Sequence, residues 1–184
     1  MLPLNHDRKG DASRVHRGLW GCVVYMAVWG ILCFPLGRLF KRLRLNWARP
    51  PFSPFPWEKE GQVYERLGIR RWKDIAPDVS KLFPSIVPRK TLSGRLTPEL
   101  VRDMLEETCV AELTHLVLCI VGLALAPLWP GAGGILLYIA YVALGNVPFI
   151  IIQRYNRPRF RRMLTIAEAR ERRQSHARTD TFEQ

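Results

Sequence analysis

The chemically richest stretch of the chain lies where an apolar run ends, in the C-terminal third. Asn146 lies inside that run beside Pro148, and a polar cluster follows it: Gln153, Arg154, Tyr155, Asn156, Arg157 and Arg159. In lipid, a polar side chain such as Asn146 is costly and normally serves a function or a specific partner. Arginine presents a planar fork of donors that suits phosphate and carboxylate. A membrane span followed by topology-setting charge explains Arg154, Arg161 and Arg162. It explains the amides and the rigid stretch Arg157-Pro158-Arg159 poorly, so the pattern favours a binding site.

A second pair with chemical potential is Glu112 and His115, which are three residues apart and therefore share a helix face. Histidine is the side chain best suited to accept a proton near neutral pH, and Glu112 could orient its ring or stabilise its cationic form. If the flanking apolar runs form a hairpin that turns near Pro130 and Gly131, His115 and Asn146 lie at the same depth. The competing interpretation is that Glu112, His115 and Asn146 only tie the helices together.

Three apolar runs must position these residues: 19–36, 110–128 and 135–152. Each is close to the roughly 20 residues that cross the hydrocarbon core of a bilayer. The first run follows a polar N-terminus, residues 1–18, and lacks the small-residue cleavage site of a signal peptide. We therefore predict an all-α membrane protein with about three membrane helices, in which the last two form a hairpin spanning 110–152. A re-entrant path for the first run stays open.

The region between the first two runs, residues 37–109, is predicted to be cytoplasmic and interfacial. Leu36, Leu39, Phe40 and Leu43 recur at helical spacing among arginines, which indicates either an amphipathic interfacial helix or a solvated extension of the first span. Residues 49–56 are rich in proline and predict an extended connector. Thr97-Pro98-Glu99 has the composition of a helix start.

Composition excludes several functional classes. The 184 residues carry a net charge of +12 and are 48% hydrophobic, with the positive charge placed beside long uncharged runs. That arrangement is typical of a membrane protein facing anionic lipid and argues against a nucleic-acid partner. The four cysteines have no metal-binding spacing, so neither a metal nor another cofactor is predicted. The length suits a single integral membrane domain over residues 1–184.

Charge asymmetry predicts the topology. The turn at residues 127–134 carries no charge, whereas the central region and the tail at 153–184 are basic. By the positive-inside rule the turn lies outside, and the central region and C-terminus lie in the cytoplasm. A multi-pass protein of the plasma membrane is therefore expected.

Four motifs resemble those of the glycosyl-4,4'-diaponeurosporenoate acyltransferase family. They are Asn146-x-Pro148 followed by residues 151–159 (Ile-Ile-Gln-Arg-Tyr-Asn-Arg-Pro-Arg), Ala111-Glu112-Leu113-x-His115, Glu58-Lys59-x-Gly61 and Arg70-x-Trp72-Lys73. The resemblance runs from about Phe52 to Arg159. It implies esterification of a fatty acyl group onto the sugar hydroxyl of a glycosylated carotenoid or terpenoid, the last step of staphyloxanthin-like pigment synthesis.

The resemblance also implies partners and roles. An acyl donor, either acyl-CoA or an acyl carrier, and a glycosylated lipid acceptor would meet among membrane lipids, and association with other enzymes of the pathway stays open. His115 and Glu112 are the expected catalytic residues. The expected substrate-binding residues are Asn146, Gln153, Arg154, Tyr155, Asn156, Arg157, Arg159, Trp72 and Lys73. No serine or cysteine is placed as a covalent nucleophile, so direct transfer is expected. The alternatives are a non-enzymatic scaffold of a pigment or envelope pathway and another lipid-modifying transferase, such as a methyltransferase.

Overall fold

The computed structural model describes residues 6–73 and 96–182, with side chains described for residues 13–73 and 96–176. Every regular element in this part of the chain is helical, as predicted. The α-helices are α1 (His6–Arg42), α2 (Gln62–Arg66), α3 (Ile69–Trp72), α4 (Pro98–Val121), α5 (Leu125–Leu128), α6 (Ala132–Gly145) and α7 (Val147–Phe182). Short 3-10 helices cover Pro56–Gly61 and Gly122–Ala124.

Three stretches are long and apolar enough to cross a membrane: Ser13–Arg42, Pro98–Leu128 and Ala132–His176. The predicted number of membrane helices is therefore confirmed, and the last two form the expected hairpin around residues 129–131. Large apolar side chains point away from the protein along these helices. Ile31, Ile120 and Leu144 are 70%, 65% and 76% exposed. Such surfaces suit contact with lipid tails, where helices satisfy their own backbone hydrogen bonds.

The stretch after the first apolar run extends α1 and does not form a separate interfacial helix. Helix α1 passes through Pro35 and ends at Arg42. A proline removes a single backbone donor, and a long helix can continue past it with a local disturbance. Of the two interpretations, the structure bears out the extension of the first span. Within residues 43–73, the short helices are the 3-10 helix at Pro56–Gly61, α2 and α3.

Proline lies at the start of α4 and at the start of α7. Helix α4 begins as predicted, with Pro98 in its first turn and Thr97 Oγ1 accepting a hydrogen bond of 3.3 Å from the N–H of Leu100. Helix α6 ends at Gly145 and α7 begins at Val147. Pro148 has no N–H to give to the carbonyl of Leu144, and Asn146 leaves helical geometry with φ of −127° and ψ of −50°, so α6 and α7 are separate helices. Asn146 is placed at this break.

Helices α4 and α7 pack side by side and form the core that holds the site. Val101 and Leu105, near the N-terminal end of α4, are buried together with Leu164 of α7. Trp47 and Phe160 pack against them. A second cluster joins Tyr155 on α7 to Tyr64 and Ile69 of the central region. The part of the central region around Tyr64 and Ile69 thus packs against α7 at Tyr155.

The turn of the hairpin depends on close backbone approach at Gly134. A Cβ there would lie 2.2 Å from the carbonyl oxygen of Trp129 and 2.7 Å from that of Leu125. Gly134→Ala should therefore destabilise the protein by about 1–3 kcal/mol, because backbone must move to admit the methyl group. Thermal unfolding in detergent measures the loss. Gly21→Ala is the matched control, since a Cβ at Gly21 meets nothing within 4 Å; equal melting temperatures for both variants would contradict the packing.

Candidate active site

A buried ionic cluster joins three elements at the end of the hairpin opposite its turn. Arg154 on α7 donates to Glu58 Oε1 at 2.6 Å and to Glu112 Oε1 on α4 at 2.7 Å. Arg157 donates to Glu112 Oε2 at 2.6 Å. All four side chains are at least nine-tenths buried. Two guanidinium groups therefore face two carboxylates, and the charges of the cluster balance, as burial of ions requires.

Glu58 is oriented by the residues around it. Its Oε1 accepts a hydrogen bond of 2.5 Å from the hydroxyl of Tyr64, and its Oε2 accepts one of 2.8 Å from the N–H of Phe55. Burial and the adjacent carboxylate both raise the pKa of Tyr64, so the phenol keeps its proton and remains the donor. Lys59 and Glu60, which follow, adopt left-handed backbone conformations with φ of 49° and 56°. The strained turn lets Glu58 point inward while the chain reverses into α2.

Arg157 is almost completely buried, and each of its three guanidinium nitrogens donates a hydrogen bond to another residue of the protein. Its Nε donates to Thr108 Oγ1 at 2.9 Å, and its Nη1 donates to the carbonyl of Phe52 at 2.5 Å. With 1% of its surface exposed, the side chain anchors the proline-rich connector to α4 and α7. Arg154 contributes to the same anchoring through the carbonyl of Pro51. Contact between these two arginines and a substrate stays a prediction, and their visible role is to hold the site together.

His115 has Asn146 as its partner. Its Nδ1 lies 3.0 Å from Asn146 Oδ1, which bears out the prediction that the two residues share a depth in the membrane. Both Glu112 oxygens face guanidinium groups, so the expectation that Glu112 orients the imidazole is wrong in this structure. A carboxylate one turn away is drawn to the two nearby cations because charge-assisted hydrogen bonds are stronger than those to a neutral ring.

The hydrogen bonds around Asn146 determine which nitrogen of His115 carries the proton. The amide nitrogen of Asn146 donates to the carbonyl of Tyr141 at 3.0 Å, so Oδ1 is the atom that faces the ring. An amide oxygen only accepts, and Nδ1 must therefore carry the hydrogen. In the neutral ring this leaves the lone pair on Nε2. Within residues 6–73 and 96–182 no hydrogen bond occupies Nε2, and Phe149 stacks on the ring at 4.8 Å with planes 3° apart.

The remaining predicted site residues divide into two groups. Tyr155 is buried in the cluster against which Trp72 packs, and the indole N–H of Trp72 donates to the carbonyl of Leu67 at 3.0 Å. Arg159 lies over the ring of Tyr155 at 3.4 Å and donates to Glu65 at 2.6 Å.

Lys73 lies at the boundary of the described residues. The second group is Gln153 and Asn156, which are half-buried on α7.

Three functional positions were missed by the sequence reasoning. Glu58 was seen only as part of a motif, although a carboxylate among prolines and aromatics is a signal for burial. Phe149 and Thr108 look like ordinary apolar and small positions in a membrane helix. Nothing in their local sequence indicates that one covers His115 and the other binds Arg157.

A surface cavity lies away from His115, and the described residues contain no cluster of potential metal ligands. A cavity of about 430 Å³ opens around Trp47, Arg102 and Arg161, and its lining does not include His115 or Asn146. In the described part of the chain, no group of three histidine, cysteine or acidic side chains could hold a metal ion.

Comparison with known proteins identifies a single family. The model of the glycosyl-4,4'-diaponeurosporenoate acyltransferase family matches residues 48–166. Proteins of that name from Staphylococcus aureus strains N315 and USA300 are each 32% identical over 124 residues, which is 65% of this chain and 71% of the relative. The matched stretch includes the ionic cluster, His115 and Asn146. No solved structure matches the chain.

Proposed function

Because this chain belongs to the glycosyl-4,4'-diaponeurosporenoate acyltransferase family, we propose that it esterifies a sugar hydroxyl of a glycosylated carotenoid or related terpenoid lipid with a fatty acyl group. The observation that carries the proposal is the chain Tyr141–Asn146–His115, which leaves the lone pair on His115 Nε2. A neutral imidazole held in one tautomer beside an apolar ring is suited to remove a proton from an alcohol.

In the proposed reaction, Nε2 of His115 accepts the hydroxyl proton while the sugar oxygen attacks the acyl carbonyl carbon. A new carbon–oxygen bond forms, and the carbonyl electron pair moves onto its oxygen. Collapse of this tetrahedral intermediate breaks the bond to the thiol of the donor, and His115 returns the proton to the leaving sulfur. Asn146 favours the cationic ring in between, because its amide oxygen accepts from Nδ1–H throughout.

The donor is expected to approach from the cytoplasmic end of α7. Arg159 is about one-third exposed, and Arg161 and Arg162 follow on the same helix. Phosphate-bearing donors, whether acyl-CoA or an acyl carrier with a phosphopantetheine arm, suit such a basic surface. The buried cluster of Glu58, Glu112, Arg154 and Arg157 then acts as the rigid wall that keeps α4 and α7 in register.

A direct assay tests the proposal. Purified protein in lipid nanodiscs is supplied with radiolabelled palmitoyl-CoA, or with the acylated carrier protein, and with a panel of glucosylated and unglucosylated C30 carotenoids. We expect label to appear in the glucosylated acceptor as an ester. Absence of any ester with both donors, from a protein that keeps its native melting transition, would refute the proposal.

We propose in addition that the central region and C-terminus are cytoplasmic, on the basis of the basic tail and the uncharged turn. Ser175 is exposed near the end of α7, and Ala132 is exposed at the outer turn. A membrane-impermeant maleimide added to intact cells should label Ala132→Cys but not Ser175→Cys. Permeabilised cells should label both, and the parent chain is the control for its own cysteines. Labelling of Ser175→Cys in intact cells would reverse the topology.

A further inference from the structure

Two amide side chains lie on α7 a short way beyond Phe149, the residue that stacks on His115. Gln153 and Asn156 are both half-buried, and within the described part of the chain neither forms a hydrogen bond. Because each amide keeps part of its surface exposed, water can satisfy it in the free protein, and a polar ligand can take the place of that water. Their neighbours Arg154 and Arg157 are fully bonded, so the difference is a property of these two positions.

Helical spacing places the two amides on the same face as the residue that covers His115. Phe149, Gln153 and Asn156 are separated by four and three residues on the continuous helix α7. At a rise of about 1.5 Å per residue, Gln153 lies roughly 6 Å and Asn156 roughly 10 Å beyond Phe149 along the helix axis. Phe149 stacks directly on the His115 ring. The amides thus form a polar path from the imidazole toward the basic end of the helix.

We propose that Gln153 and Asn156 bind the ring hydroxyls of the acceptor sugar and make glycosylation a requirement for binding. This inference rests on the proposed function. Each amide offers an acceptor oxygen and two N–H donors, and each sugar hydroxyl both donates and accepts. The roughly 6 Å between Phe149 and Gln153 matches the width of one hexose ring, so one hydroxyl can meet Nε2 of His115 while others meet the amides. Asn156 is then placed at the outer rim of the same sugar.

The charge pattern assigns the amides to the sugar and not to the acyl donor. The phosphate groups of an acyl donor accept hydrogen bonds only, and the amide oxygens would face them as further acceptors. The donor is better served by Arg159 and the arginines after it, which only donate. A neutral sugar needs groups that do both, and the two amides are such groups.

Binding of a simple glycoside tests the inference without any acyl donor. The full-length protein in nanodiscs is titrated with octyl β-D-glucoside below its micellar concentration, and with tetra(ethylene glycol) octyl ether, which has the same tail and no sugar. Saturation-transfer NMR reports contact with the sugar protons, and empty nanodiscs correct for partitioning. Gln153→Leu and Asn156→Leu should each weaken glucoside binding about three- to tenfold and leave ether binding unchanged. Gln62→Leu, at an exposed amide on α2, should change neither.

The outcomes separate this inference from the proposed function. Unchanged glucoside affinity in both leucine variants would overturn the inference, even if the protein transfers acyl groups. Glucoside binding that depends on the amides, in a protein that transfers no acyl group, would support the inference and refute the transferase chemistry. If the leucine variants fail to fold, the isosteric Gln153→Glu and Asn156→Asp remove the N–H donors instead, and wild-type affinity in both would again overturn the inference.

Discussion

Replacement of His115 by glutamine should lower turnover by about 10²–10⁴-fold, which is the usual contribution of general base catalysis. Glutamine retains a polar group of similar reach, so the contact with Asn146 can persist and the fold should be kept. What is lost is the lone pair at Nε2 that accepts the proton. The measurement is initial rate at saturating donor and acceptor. The KM values should change little, because the substitution removes an interaction made in the transition state.

The matched control is His16→Gln. His16 is exposed near the start of α1, where its Nε2 accepts a hydrogen bond of 3.1 Å from Trp20. Its replacement should leave turnover unchanged. Wild-type turnover should also fall as the medium is acidified, because a protonated imidazole cannot accept the proton, whereas the residual activity of His115→Gln should not follow that decline. A folded His115→Gln protein with near-normal turnover would reject the base and leave the residue a packing role.

The depth of the site was predictable from the sequence because helices have a fixed rise. His115 and Asn146 are nearly equidistant from the turn, and a disturbance of the helix near Asn146 is expected because Pro148 lacks an N–H. Their 3.0 Å contact depends in addition on how the two helices are rotated, which the spacing alone does not give. The identity of the family was also predictable, since its motifs are contiguous and carried by a few adjacent residues.

The partner of Glu112 was not predictable from its spacing to His115. Sequence spacing shows that the two residues share a helix face, but it does not show what approaches that face from elsewhere in the chain. Arg154 and Arg157 are more than forty positions from Glu112 in the sequence. The connector that completes the cluster also lies more than fifty positions before Glu112. Charge pairing across such separations depends on how α4 and α7 are rotated, which local sequence does not encode. For the same reason, the contacts of Glu58 and Thr108 with these arginines could not be predicted from the local sequence.

The structure consequently separates two roles that the sequence suggested would be shared. His115 and Asn146 have the geometry for proton transfer, while Glu112 joins the elements around them. This separation implies that the two kinds of substitution should fail in different ways. A change at His115 should leave a stable and inactive protein, and a change at Glu112 should leave an unstable one.

Glu112→Gln should therefore lower the free energy of unfolding by about 3–5 kcal/mol, the usual cost of breaking a buried ion pair from one side. The amide can still accept one hydrogen bond, but Arg154 and Arg157 would then share the single charge of Glu58 in a site that is nearly closed to water. Equilibrium unfolding in mixed detergent micelles measures the loss. Adding Arg157→Met restores the charge balance, so the double variant should be less destabilised than the sum of the single variants.

Glu107→Gln is the control for the loss of a carboxylate on the same helix. Its ion pair with Lys41 spans 3.2 Å, but the two side chains are 43% and 49% exposed. Water and salt screen such a pair, so breaking it should cost no more than about 1 kcal/mol. If Glu112→Gln were as mild as Glu107→Gln, or if the double variant lost the full sum of both single changes, the four charges would not act as one cluster. Glu112 would then have to be reconsidered as a group that acts on His115 itself.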